Sequence, residues 1–300
     1  MIHVAWSDTY SLPLPEGHRF PMSKYALLYR QLKQEQHTLG VHFTEPRKAT
    51  MQDVLRVHDP DYVKRMTHLE LTEKEMRAIG FPLTPELVER EFILVQGTID
   101  CAKHALKYGL ALNIAGGTHH AFSNRGEGFC LLNDHAVAAG YLLHHQLASR
   151  ILIVDLDVHQ GNGTAEIFRH TAEVFTLSIH GKDNYPLRKE MSDMDIELAT
   201  GTTGLEYLFI LQQKLSEALL IFKPDIILYN SGVDVLATDK YGKLKLTEAE
   251  CMERDRLVFD AAFKENIPIC AAMGGGYSPL ITDIVNAHCN TFRTACALFQ

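Results

Sequence analysis

The stretch that decides the fold runs Ile151-Leu152-Ile153-Val154-Asp155-Leu156-Asp157-Val158-His159-Gln160-Gly161-Asn162-Gly163-Thr164. Its first four residues are an unbroken apolar run, the pattern of a strand buried on both faces. Beyond it, every second residue is polar. In extended chain, residues two apart share a face, so Asp155, Asp157 and His159 point one way and Leu156 and Val158 the other, towards apolar packing. Three acceptor side chains on one face repel one another unless a cation lies among them. Capping of a helix by one aspartate leaves the other two unexplained. The segment reads as the end of a buried strand that delivers metal ligands.

Apolar runs of the same kind recur at 2–6, 110–115, 174–179, 226–230 and 267–273, besides 151–156 itself. Between them, helical periodicity is expected over 23–36, 85–107, 134–146, 205–222, 248–265 and 279–299. Strand–helix alternation along the whole chain implies an α/β fold, a parallel sheet covered by helices on both faces. No repeat or Pro/Gly/Ser-rich linker interrupts it, so one domain, 1–300, is expected. Ligands of such sheets bind beyond the carboxyl ends of the strands. The segments just after each apolar run are therefore the ones to read for chemistry.

After Asn113-Ile114-Ala115 comes Gly116-Gly117-Thr118-His119-His120-Ala121. Alone, this is either a pair of loop histidines or an acid/base device titrating near neutrality. After Ile227-Leu228-Tyr229 comes Asn230-Ser231-Gly232-Val233-Asp234. Asp157, His159 and Asp234 would give a metal three ligands and leave a fourth position open, as catalytic zinc requires; the oxygen-rich set also suits Fe(II). After Ala271-Ala272-Met273 comes Gly274-Gly275-Gly276-Tyr277, where a tyrosine could steady a developing oxyanion or simply pack in a turn. The chain has no His-Glu-x-x-His, no Gly-x-Ser-x-Gly, no Walker A loop and no Gly-x-Gly-x-x-Gly after a strand.

Composition narrows the setting. A net charge of −8 argues against direct nucleic-acid binding, which draws on Lys and Arg. No apolar run approaches the length of a membrane span, and Met1-Ile-His-Val-Ala-Trp-Ser-Asp8 lacks the regions of a secretion signal. The six cysteines show no Cys-x-x-Cys spacing, and several sit in apolar runs where a buried, inert thiol is expected. A reducing, cytoplasmic location fits these features.

Taken in order, these motifs resemble the zinc-dependent histone deacetylase superfamily, with the acetoin-utilisation proteins and acetylpolyamine amidohydrolases among its relatives. The resemblance runs from Pro21-Met22-Ser23-Lys24-Tyr25 to Tyr277 and is most specific over 116–134 and 155–164. Ser192-Asp193-Met194-Asp195-Ile196, Gly201-Thr202 and Glu206-Tyr207 look most like the class IV deacetylases and their bacterial relatives. The resemblance implies the arginase/deacetylase fold with a predominantly parallel eight-stranded sheet. It implies one zinc ion per chain on Asp157, His159 and Asp234, His119 and His120 beside the catalytic water, and Tyr277 at the oxyanion. Asp155 then supports His119. Asn162 stands where some members carry an aspartate behind His120, so His120 should be less basic here. Gly128, Phe129, Gly275 and Gly276 match the substrate channel. Potassium is implied at an inner site of Asp155, Asp157, His159, Ser178 and Ile179, and at an outer one of Phe168, Thr171 and Val174.

The implied activity is hydrolysis of N-acyl-lysine, acetyl or longer fatty acyl, on protein or peptide. Two departures bear on the substrate, the first counting against a protein lysine and the second against cationic polyamines. The 80–84 segment lacks the acidic residue by which peptide-directed members clamp a substrate backbone, and the 236–242 loop lacks the glutamate of polyamine deacetylases. A small acylated amine stays as an alternative, as does a non-catalytic acyl-lysine or metabolite binder. Arginase-like hydrolysis, on two manganese ions, would need further aspartates that the 155–159 and 230–234 segments lack.

Overall fold

The computed structural model describes residues 1–299, and its strands form one sheet. In chain order they are β1 (Ile2–Ala5), β2 (Val41–Thr44), β3 (Leu110–Asn113), β4 (Ile151–Asp155), β5 (Val174–Gly181), β6 (Met194–Leu198), β7 (Ile226–Asn230) and β8 (Ile269–Ala272). The spatial order is β2-β1-β3-β8-β7-β4-β5-β6, and every pairing is parallel. The central strands β3, β4, β7 and β8 are buried along their whole length, as continuous apolar runs require.

Two strands escape the apolar-run criterion, and both lie at the sheet's edges. β2 is only partly buried, and β6 alternates half-buried and exposed positions. One face of an edge strand meets water, so its sequence is mixed. The six long helices expected from periodicity form within a few residues of those bounds, the longest at Pro85–Tyr108. Local chemistry fixes their starts. Thr84 caps Leu87 N ahead of a proline at the first turn, and Thr247 with Glu250 makes a reciprocal capping box. Shorter helices at Met51–Val54, Pro60–Thr67, Glu73–Ile79 and Asn162–Phe168 are too brief for periodicity to reveal. Among the described residues, no helix is long and apolar enough to cross a membrane.

The register of the sheet positions the site. Asn113 pairs with Ala272, Ala272 with Asn230, Asn230 with Asp155, and Asp155 with Ser178. This row marks the carboxyl edge. The loops bearing His119, Tyr277, Asp234 and Asp157 leave from one level on adjacent strands.

A buried arginine ties two of these loops together. Arg254, with no exposed surface, donates to the carbonyls of Leu156 at 3.2 Å, Gly232 at 2.5 Å and Ser231 at 3.3 Å. It is paired through two nitrogens with Asp255 at 2.9 and 2.7 Å. Asp255 also accepts from Tyr229 and Thr291, both at 2.5 Å. Arg254→Met would strand a buried carboxylate and three carbonyls. A loss of about 3–5 kcal/mol is expected, read as a lowered midpoint in urea unfolding.

Candidate active site

Each carboxylate of the candidate metal cluster is fixed through one oxygen by a backbone N–H of another loop and turns the other towards His159. Asp157 Oδ2 accepts from Gly275 N at 2.8 Å, and Asp234 Oδ1 accepts from Val158 N at 2.8 Å. Their remaining oxygens both face His159 Nδ1, Asp157 Oδ1 at 3.0 Å and Asp234 Oδ2 at 3.2 Å. The three ligand atoms lie within 4.8 Å of one another, and among the described residues no other such group occurs. Donors about 2.1 Å from a tetrahedral ion stand roughly 3.4 Å apart, so the set fits a zinc-sized cation after small adjustment. Gly275 makes the approach possible: a Cβ there would collide with the Asp157 and Asp234 carboxylates.

The two histidines differ in what stands behind them. His119 Nδ1 meets Asp155 Oδ2 at 2.6 Å, and Asp155 is steadied in turn by Asn230 Nδ2 at 3.0 Å. His120 Nδ1 meets Asn162 Oδ1 at 2.6 Å. An amide oxygen only accepts, so Nδ1 of His120 carries the proton and Nε2 keeps its lone pair. The loop bearing the pair is pinned by Asp134, fully buried, which accepts from Thr118 N and Oγ1, both at 2.8 Å, and from Thr98 Oγ1 at 2.7 Å.

Electrostatics sharpen this difference. Burial disfavours a charged His119, but Asp155 and Asp157 outweigh it and raise its pKa to about 9. Burial lowers His120 as well, and the positive charges of His119 and His159 drive it further, well below its usual value. His119 is therefore the cation of the pair and His120 the neutral ring. His159, despite its burial, is raised to about 10 by Asp157 and Asp234. Without a metal, a proton occupies the face that would bind one. Burial pushes the Asp157 carboxyl up, but His119 and His159 overcome it and hold it well below the carboxylate range. Burial raises the Tyr277 hydroxyl well above its usual value, and Asp157 and Asp234 add to this, so it stays a donor.

Two cavities with shared walls lie here. An inner one of about 30 Å³ is lined by His119, His120, Asp157, His159, Gly275 and Tyr277, among others. An outer one of about 340 Å³ shares His120, Gly128, Phe129, His159 and Tyr277 with it and reaches the surface. Phe20, Phe81 and Phe129 form an aromatic wall with ring centroids 5.0–5.3 Å apart, and Phe129 stands 6.1 Å from Tyr277. The adjacent glycine, Gly276, turns away: a side chain there would meet Val233 and Ile284. Of the residues matched to potassium, Asp155 and Ser178 are registered on neighbouring strands, and Phe168, Thr171 and Val174 are linked by two successive hydrogen-bonded turns.

Several site residues were not singled out in the sequence. Tyr185 stands edge-on to His120 with centroids 5.0 Å apart and gives its hydroxyl to Glu127 at 2.7 Å. Only its setting in a polar, non-periodic stretch precedes it, which carries no signal. Lys24, fully buried, donates to Gly274 O at 3.1 Å; burial lowers its pKa to about 8 against the pull of Asp234, Asp157 and Asp239. Asp239 accepts from Tyr277 N at 2.6 Å and so fixes the start of the tyrosine's loop. The 192–196 segment, read as a family motif, is also a brace. Asp193 accepts from Thr176 N and Oγ1, and Asp195 from Gln160, the neighbour of His159.

Comparison with known proteins agrees with this geometry. The histone deacetylase domain family matches residues 18–292. An uncharacterized protein of the cyanobacterium Picosynechococcus is 42% identical over 292 residues, 97% of each chain. Histone deacetylase 2 of Arabidopsis thaliana is 30% identical over 288 residues, covering 92% of this chain and 74% of the relative. Among solved structures, the HDA15 HD domain superposes with a TM-score of 0.79 at 20% identity, over 96% of this chain and 89% of that one. With a family match across nearly its whole length and a fold to agree, the chain belongs to the histone deacetylase family.

Proposed function

We propose that this protein is a zinc-dependent amidohydrolase that removes an acyl group, acetyl foremost, from an amine such as the lysine side chain. The observation that carries this reading is a two-carboxylate, one-imidazole cluster beside a histidine held neutral at the bottom of an aromatic-walled cavity. The inner cavity, about 30 Å³, has room for roughly two water molecules, which supports a short acyl group over a fatty one. A pure binder of acylated amines would not require a base, a cationic neighbour and a buried hydroxyl in one place.

Held by Asp157, His159 and Asp234, zinc would polarise the amide carbonyl and acidify a water molecule. The chain's own residues supply the rest. His120 takes the proton of the attacking water at Nε2, because its Nδ1 is already committed to Asn162. His119, kept protonated by Asp155, faces the growing negative charge with a positive one. Tyr277 donates its hydrogen to the oxyanion. The protonated His120 then returns a proton to the departing amine. Phe20 and Phe129 hold the aliphatic stem of the substrate. The two potassium ions would sit at the sites matched above, the first behind Asp155 and Asp157.

The reading is tested with fluorogenic lysines bearing acetyl through myristoyl groups, with acetylated polyamines alongside. Acetyl-lysine is expected to turn over best, and loss of turnover after chelation should be restored by zinc. Absence of hydrolysis across the panel with zinc bound would end it.

Three further outcomes follow from the site. Tyr277→Phe should lower kcat by roughly 10²–10³ while leaving thermal unfolding unchanged. Asn162→Asp sets a carboxylate against His120 Nδ1 and raises its pKa. The acidic limb of the kcat/KM profile should therefore move to higher pH, and an unmoved limb would exclude His120 as the base. Zinc must displace the His159 proton, held to about pH 10, so affinity should fall about tenfold for each pH unit lowered between roughly 9 and 7. Chelator competition measures this directly.

A further inference from the structure

We propose that the mouth of the active-site cavity selects acylated amines that carry an anionic group, a carboxylate foremost, a short way beyond the scissile amide. The inference rests on the deacylase reading above and names its substrate class. Three groups on the wall of the 340 Å³ outer cavity point to it: Tyr241, Lys243 and Arg19.

Tyr241 lines that wall, and its hydroxyl is buried with no hydrogen-bond partner. Buried hydroxyls in folded proteins are paired, and one left unpaired beside a reaction centre is available to a ligand. Its position is fixed by the backbone on either side. Asp239 Oδ1 accepts from Tyr241 N and Gly242 N at 2.8 Å each, and Asn184 Nδ2 donates to Tyr241 O at 2.7 Å. The Tyr241 ring stands 5.3 Å from that of Tyr277, so the two rings belong to the same wall.

Charge supplies the sign. Arg19 and Lys243 are exposed on that wall, and neither forms an ion pair with a described residue. Lys243 gives one N–H to the backbone oxygen of Asp183 at 2.6 Å, which leaves two for a ligand. One carboxylate lines the same cavity, Asp183, and it takes the Thr200 hydroxyl at 2.8 Å. Glu127, beyond Tyr185, is already shared between the Tyr185 hydroxyl and Arg125. Two cations against one carboxylate make the opening basic on a chain whose net charge is −8. A local field opposed to the overall charge steers anions to the opening and repels a cationic amine tail.

The carboxylate could belong to a free acyl-lysine or to an acidic neighbour in a peptide, and two pairs of substrates separate these. The first compares Nα-blocked Nε-acetyl-lysine as its free acid and as its carboxamide. The second compares acetyl-lysine peptides flanked by aspartate or by lysine. On the zinc-loaded enzyme at low ionic strength, kcat/KM should favour the anionic member of one pair or both by roughly fivefold, as exposed charge pairs allow. The preference should shrink in high salt. It should fall towards one in Arg19→Gln/Lys243→Gln, and fall in part in Tyr241→Phe. Ratios of one or below in both pairs, or ratios that persist in the double variant, overturn the proposal. If no member of either pair is hydrolysed, the deacylase reading falls; calorimetric binding of the same acid and amide then reads the mouth alone. Tighter binding of the acid supports the anion site, and equal binding removes it.

Discussion

Two carboxylates facing one imidazole nitrogen in a buried site are the constraint around which the rest of the structure is arranged. Asp157 and Asp234 cannot share the interior as bare anions, since like charges at close range and out of water repel strongly. The fold answers in layers. Backbone N–H groups of Gly275 and Val158 take one oxygen of each, and the other oxygens converge on His159. What remains is a demand for positive charge at one point, met by a proton on His159 or by a metal in its place. Parallel strands in a fixed register satisfy the geometry because they deliver four loops from one row of the sheet. Arg254 then locks the loops of Leu156 and Gly232 together from behind.

The same environment makes two adjacent histidines into different reagents. Both are buried, so desolvation alone would leave both neutral. A carboxylate behind His119 reverses that, and an amide behind His120 does not. The supporting side chains of the two rings, Asp155 and Asn162, differ by one atom at the far end, oxygen for nitrogen, and only the first carries a charge. His120 is also depressed by the charge it sits beside, so the cationic state of His119 helps keep its neighbour neutral.

Much of this was legible in the sequence because buried parallel strands announce themselves as apolar runs, and the chemistry lies immediately after each one. Asp157, His159 and Asp234 come from two runs far apart in the chain, and the structure brings them together. What stayed hidden has a common cause. β2 and β6 are edge strands whose mixed sequences carry no burial signal. Lys24 sits in a helix and reads as a solvated cation, since nothing local reveals that its ammonium is buried beneath the glycine loop at Gly274. Tyr185 and Tyr241 lie in polar, aperiodic loops, and their place at the site is set wholly by tertiary contacts. Residues of the candidate metal cluster are readable from spacing; of those that shape the approach to it, Gly128 and Phe129 are readable by resemblance, and Tyr185 and Tyr241 are not.

This division has an energetic basis. The ligand cluster must be rigid, because its charges are tolerable only at fixed distances from their partners, and so its residues are confined to strand ends and tight glycine turns. The approach to the cavity carries no such penalty. Arg19 and Lys243 are exposed, and replacing an exposed side chain of this kind is expected to change stability little. A metal held there would add to the contrast: an ion that binds the folded chain alone stabilises it by mass action, and that stabilisation would fall on the loops whose carboxylates it relieves. The centre of the site is thus held by folding energy, while the mouth is left open to variation in charge and shape. Within one chemistry, substrate choice is written where the structure constrains the sequence least.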